Sequence, residues 1–200
     1  MKEIDVINEE LREMENLFRR VIKIVPSFDL TDAKILPYGL KPHTRSVSWI
    51  VEQVVTQQAK FNSKQLDIID VDIDLPDTCL HDCIIKTAKQ NYYVNIKITN
   101  ADGKDNKNDI SAVEKLYMQY VANPSYSLIY AVFGFRFQNI NISFVDDYVH
   151  TFSPQFLPIY VNPRNDKIQA YYKAKPQERS RQEFLKLLRE NSKSIVLPNV

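Results

Sequence analysis

A chain of 200 residues with 44% apolar content holds enough apolar material for one compact domain with a sizeable core. Its 26 basic and 25 acidic residues nearly cancel, to a net charge of +1, which excludes a bulk-basic protein and leaves any nucleic-acid contact to local patches. Three dispersed glycines, Gly39, Gly103 and Gly134, exclude a phosphate-cradling loop or dinucleotide fingerprint, and with them a nucleotide cofactor bound in either way.

Cys79 and Cys83 stand four apart, and His43, His81 and His150 are scattered, which is no zinc-site pattern. Two partly buried thiols in a reducing compartment are expected. No apolar run approaches the ~20 residues of a membrane span. Met1–Glu15 is too charged for a signal peptide, so the expectation is a cytoplasmic protein with no membrane contact.

From Glu3 to Lys23, Ile4, Ile7, Leu11, Met14, Phe18, Val21 and Ile22 recur at helical spacing, and Pro26 ends the helix. A mixed stretch with a Pro37-Tyr38-Gly39 turn runs to Pro42. Thr44 or Ser46 caps a second helix through about Lys60, with Val47, Ile50, Val51 and Val54 on one face. Glu52 falls on the flank of that stripe, and Trp49 is expected to pack. Gln65–Leu75 alternates Ile69, Val71 and Ile73 with Asp70, Asp72 and Asp74, the pattern of a strand with one wet face.

Two short strands follow, near Leu80–Thr87 and Tyr92–Thr99, then a polar loop, Asn100–Asn108. Asp109 or Ser111 opens a helix carrying Val113, Leu116, Tyr117, Tyr120 and Val121. Ser127–Phe135 is a near-continuous apolar run, the signature of a central strand buried on both faces, with Phe137–Val145 as its neighbour. Pro154, Pro158 and Pro163 punctuate an irregular stretch before Lys167–Tyr172, and a last helix spans about Ser180–Asn191. Tyr92, Tyr93, Tyr117, Tyr120, Tyr171 and Tyr172 read mostly as core and rim residues. The order predicts a single α/β domain with a central mixed sheet flanked by helices.

The chemistry-bearing residues sit on the paired short strands. Residues i and i+2 of a strand share a face, so Asn95 and Lys97 project together, and Asp82 at the start of the partner strand can join them. Oxygen ligands converging beside an ammonium suit phosphodiester hydrolysis. That reaction needs a divalent metal near a non-bridging oxygen, a polarised water, and a cation to position it or offset growing charge. Asp77, after Pro76, is a rival for the first acid. His150 has no Ser or Cys at a triad spacing.

Asp82 with Cys83, and Ile96-Lys97 with the Asn-rich loop after them, resemble the PD-(D/E)XK nucleases. So do the helix Thr44–Glu52 and the segment Arg179-Ser180-Arg181-Gln182-Glu183-Phe184. The likeness spans roughly residues 40 to 190, and is narrowest toward type II restriction endonucleases of the SwaI-type group. It implies a nuclease core at 41–190 behind an N-terminal helical extension at 1–40, Mg²⁺ as cofactor, double-stranded DNA as substrate, and a homodimer. It also implies roles: Asp82 as metal ligand, Asn95 completing the metal shell, Lys97 as the catalytic lysine, and Glu52 as an accessory ligand. Helix 3–23 and Leu128–Phe137 are candidate dimer elements.

This sequence departs from the family at position 95, where Asn replaces Asp or Glu. An amide offers one oxygen and no charge. DNA contact is expected from Asn100, Lys104, Asn106, Lys107 and Asn108, since Asn reads adenine edges and Lys meets phosphate. Arg164 sits in a second polar loop of the same kind. Arg179 and Arg181 are poorly placed for the dipole of the helix they open, which calls for an anionic partner, phosphate or an acidic neighbour. Two rival readings stay open: a DNA-binding relative that does not cut, and an interaction module in which Asp82 and Lys97 form a structural ion pair.

Overall fold

The computed structural model describes residues 3–32, 34–39, 44–76, 78–103, 108–165, 167–171 and 174–192. Asp77, Lys104, Asn106, Lys107 and Tyr172 lie outside the described residues, as does the side chain of Asn108.

Helix α1 (Glu3–Ile24) turns Ile7, Met14, Leu17, Phe18, Val21 and Ile22 inward at the expected spacing. Strand β1 (Ser27–Asp29) and helix α2 (Thr44–Phe61) follow, α2 burying Val47, Val51, Val55 and Ala59. Next come a helical turn α3 (Ser63–Leu66) and strands β2 (Asp70–Asp72), β3 (Cys83–Lys86), β4 (Asn91–Asn100) and β5 (Asn108–Ala112). Helix α4 (Val113–Ala122), the long strands β6 (Leu128–Gln138) and β7 (Asn141–Phe152), short strands β8 (Tyr160–Val161) and β9 (Lys167–Ala170), and helix α5 (Arg181–Asn191) complete the chain.

Six strands form the main sheet in the order β1-β7-β6-β4-β3-β2, and only β4 and β6 run parallel, so the sheet is mixed. The parallel step needs a crossover, which β5 and α4 supply. Helices α1 and α2 cover one face, packing on Val94, Ile96, Ile98, Ile129, Ala131, Phe133 and Phe135. Phe18 meets Phe133 edge-on at 5.3 Å, so residues from the expected N-terminal extension are part of the core. On the other face α4 and α5 bury Leu116, Tyr117, Tyr120, Phe184 and Leu188 against Leu128 and Tyr130. β6 is therefore apolar almost throughout because both its sides are covered. Gly134 is its close-approach point: a Cβ there would lie 2.4 Å from Tyr148 Cγ. Among the described residues no helix is long and apolar enough to cross a membrane.

Three expectations change. The strand over Gln65–Leu75 shrinks to β2, because Ser63–Leu66 coils into a helical turn that ends at Asp67 in the left-handed region (φ 59°). As the sheet's edge, β2 buries only Val71 and holds its acids in ion pairs, Asp72 with Lys86 at 2.7 Å and Asp70 with Lys60 at 3.8 Å. Asp109 and Ser111 do not cap a helix: their backbone pairs with β9, and α4 begins after them without a side-chain cap. Leu128–Phe137, a candidate dimer element, is instead the sheet's interior strand, buried through Phe135.

Candidate active site

β3 and β4 form a hairpin that splays at one end. Pairing runs from Lys86↔Asn91 to Cys83↔Val94, and the Asp82 N–H still donates to the Val94 carbonyl at 2.8 Å. Beyond that point β3 has turned away. The Ile96 N–H, which would continue the ladder, donates instead to Asp82 Oδ2 at 2.6 Å. The carboxylate thus stands in for the missing strand and is held rigidly at the fork.

Val94, Ile96 and Ile98 point to the α1–α2 core, so strand alternation sends Asn95 and Lys97 to the opposite face. Asn95 is 8% exposed. Its Nδ2 donates to the Leu80 carbonyl at 2.9 Å and to Asp82 Oδ1 at 3.3 Å. Two acceptors around the nitrogen decide the amide orientation, since the flipped form would set oxygen against oxygen. Asn95 Oδ1 is then left buried with no hydrogen-bond partner, an unusual state for a polar atom.

The Lys97 ammonium lies 5.7 Å from the centre of the Tyr130 ring, on the strand that pairs in parallel with β4 and directly opposite Asn95. Glu52 comes from α2 and interacts with both Asp82 and Lys97. Burial pushes its carboxyl from 4.5 up to about 7, and the Asp82 charge adds to this while Lys97 opposes it. Burial also raises Asp82, against the pull of Lys97 and the Ile96 N–H. Burial lowers Lys97, and Asp82 and Glu52 work to keep it protonated. The Cys83 thiol behind them is driven far up by burial and then by the two carboxylates, so it is inert. Asp82, Lys97 and one unsatisfied amide oxygen share this fork, and Glu52 of α2 is electrostatically coupled to it.

A pH dependence follows. Between about 4.5 and 7 the folded chain keeps a proton on Glu52 that the unfolded chain has lost, so stability falls as pH rises through that window. Solvent screening of a half-buried group limits the loss to about 1–2 kcal/mol. Asp82 acts in the same direction, and Lys97 opposes it as pH climbs toward its ordinary 10.5. Urea midpoints at pH 5 and 8 should therefore differ more in the parent chain than in Glu52→Gln. Equal pH slopes would remove Glu52 from the group.

The other expected residues are dispersed. Asn100 ends β4 and spends its Oδ1 on the Asp102 N–H at 3.0 Å, in a turn tied to β6 by an Arg136–Asp102 ion pair. Arg164 is exposed in the β8–β9 turn. Its neighbours Asn162 and Asn165, with Gln169, donate to Asp109; burial acts to raise that carboxyl, but the three bonds outweigh it and hold it low.

Arg179 and Arg181 are occupied inside the chain. Arg179 donates to the carbonyls of Gln155 and Leu157 and to Gln177. Arg181 donates to the carbonyls of Tyr126, Asn123 and Tyr120 and lies over the Tyr120 ring. It sits at the start of α5 but serves the C-terminal end of α4, where a cation is favourable. Its guanidinium is thus spent on main-chain carbonyls, with the Glu3 charge as an acidic neighbour. Arg181→Ala should cost about 2–3 kcal/mol through the orphaned carbonyls and leave duplex affinity unchanged. A drop in affinity with a salt slope smaller by about one unit would restore the phosphate role.

Two residues were placed otherwise than the sequence suggests. Tyr130 is one of several aromatic residues in an apolar run, and its place beneath Lys97 follows only from the β4–β6 register. Trp49, expected to pack, is 67% exposed.

No protein-family model matches the chain, and no curated protein matches it in sequence. Among solved structures, NlaIV restriction endonuclease is similar in fold, with a TM-score of 0.57 at 12% identity over 96% of this chain and 79% of that one. The chain is a single α/β domain, a mixed central sheet flanked by helices, with a restriction-endonuclease-like fold.

Proposed function

We propose that this chain is a Mg²⁺-dependent endonuclease that cuts double-stranded DNA at specific sites, as a type II restriction enzyme of the PD-(D/E)XK kind does. The observation that carries the reading is the convergence of Asp82, Asn95 and Lys97 on one hairpin fork, with Glu52 electrostatically coupled to Asp82 and Lys97. The donor set fits a hard cation: it is all oxygen, two members can be anionic, and Asn95 Oδ1 is a buried acceptor in want of a partner. Bound there, Mg²⁺ would polarise a phosphate oxygen and acidify a water.

The chain's own residues do the rest. Asp82, fixed by the Ile96 N–H, and Asn95 would hold the metal. Glu52 supplies from α2 the second negative charge that position 95 lacks. Lys97, kept protonated by both carboxylates, offsets charge growing on the phosphate. Twofold-symmetric sites are cut by twofold dimers, which makes a homodimer part of the proposal, as is a cytoplasmic setting.

One observation favours a second reading, a relative that binds DNA without cutting. The Asn95 amide donates to Asp82, so the fork is stable with a single carboxylate on the hairpin. The test is incubation of supercoiled plasmid with Mg²⁺ and with EDTA. Metal-dependent linear product supports the first reading. Salt-sensitive duplex binding without cleavage supports the second. Neither would leave Asp82 and Lys97 as a structural ion pair.

A further inference from the structure

Trp49 is the only tryptophan in the chain. Helical spacing puts it in one row of α2 with Glu52, Thr56 and Lys60, which follow at intervals of three, four and four. The other members of the row are engaged. Lys60 Nζ donates to the Val71 carbonyl of β2 at 2.9 Å. Thr56 is buried, its hydroxyl donating to the Glu52 carbonyl at 2.9 Å. Glu52 is half-buried and feels the charges of Asp82 and Lys97. The row therefore tracks the β2–β3 side of the sheet, and Trp49 extends it one turn past Glu52. That is the end at which β3 has left β4, so Ile96–Asn100 have a strand partner only in β6. The indole stands uncovered there while Val47 and Val51, on the neighbouring stripe of the same helix, are buried. Ser48, Glu52 and Gln53 beside it are polar and Ile50 is half-buried, so among the described residues of this turn the indole is the one exposed large apolar side chain. That is too small for the core of a protein–protein interface, and about the size of one nucleoside.

We propose that Trp49 is a contact for the DNA strand entering the fork, its indole lying against a sugar or base next to the phosphate held by Asp82, Asn95 and Lys97. An indole offers a flat π surface to any base, so the contact adds affinity without sequence preference. This rests on the nuclease reading above.

The test uses the whole chain in Ca²⁺. Emission of the sole tryptophan is followed while unlabelled duplex is added, and affinity is read separately from the anisotropy of a labelled duplex. Emission should change and saturate with binding. Trp49→Ala should weaken binding about tenfold or more, Trp49→Phe should keep most of it, and the urea midpoint of both should match the parent. Duplex binding with unchanged emission and an unweakened Trp49→Ala variant would overturn the contact and leave the nuclease reading intact. Absence of any duplex binding would overturn both. Emission that responds to protein concentration rather than to DNA would overturn the contact by seating a second copy of the chain on the indole.

Discussion

If the proposed function holds, Lys97→Ala should lower the rate of plasmid cleavage by about 10²–10³-fold or more, the scale on which removing one preorganised charge from a developing oxyanion is felt. Binding of duplex in Ca²⁺ should stay within about tenfold, because in that role the ammonium would act on charge that appears only in the transition state. The expectation rests on position. Lys97 is partly buried on an interior strand, within the fields of the Asp82 and Glu52 carboxylates and over the Tyr130 ring, where an unpaired cation would be costly. The same burial supplies a second readout. Without Lys97, Asp82 and Glu52 lose the charge that opposes their raised pKa values, so the metal-free variant should lose more stability between pH 5 and pH 8 than the parent does. Cleavage at the parental rate would take Lys97 out of the chemistry. Unchanged pH dependence of stability would take it out of the charge group as well.

Asn95→Asp has the largest expected effect on stability, and its sign depends on metal. The substitution removes the amide donor to the Leu80 carbonyl and to Asp82 and sets an acceptor against both. Without divalent cation the variant should lose about 2–5 kcal/mol, from a broken buried bond and a new like-charge pair. The new carboxyl is raised in the folded state relative to its unfolded value, so the loss deepens as pH rises above about 4 and is relieved in acid. Millimolar Mg²⁺ should restore much of the stability and raise cleavage, because the site then offers the charge a hard cation requires. Thermal melts of parent and variant, with EDTA and with Mg²⁺ at pH 5 and 8, separate the terms. A variant that melts like its parent in all four conditions would place position 95 outside any metal site.

Elements with a strong local signal were legible along the chain. The spacing of Met14, Phe18, Val21 and Ile22 defines α1, and the apolar run Leu128–Phe135 marks a strand covered on both faces. Ser180 followed by Glu183 opens α5, with the hydroxyl and carboxylate closing a capping box. Elements made by pairing were not legible. Asn108–Ala112 carries cap-like residues yet lies flat as β5, because β9 offers a ladder, and non-local partners leave no mark on local composition.

The same division runs through the candidate site. Period-two alternation alone puts Asn95 and Lys97 on one face, and the spacing to Asp82 follows from hairpin geometry. What the chain does with its arginines had to come from the fold. Arg181 reads as a cation at the wrong end of a helix until α4 is seen to end beneath it. Trp49 reads as a core residue until its exposure on α2, beside the buried Val47 and Val51, is seen. Local sequence determined which residues carry chemistry and which strand they share, because side-chain direction follows from backbone period. Only the tertiary structure decided which charges face one another and which apolar group stays uncovered, because burial and pairing depend on neighbours distant in sequence.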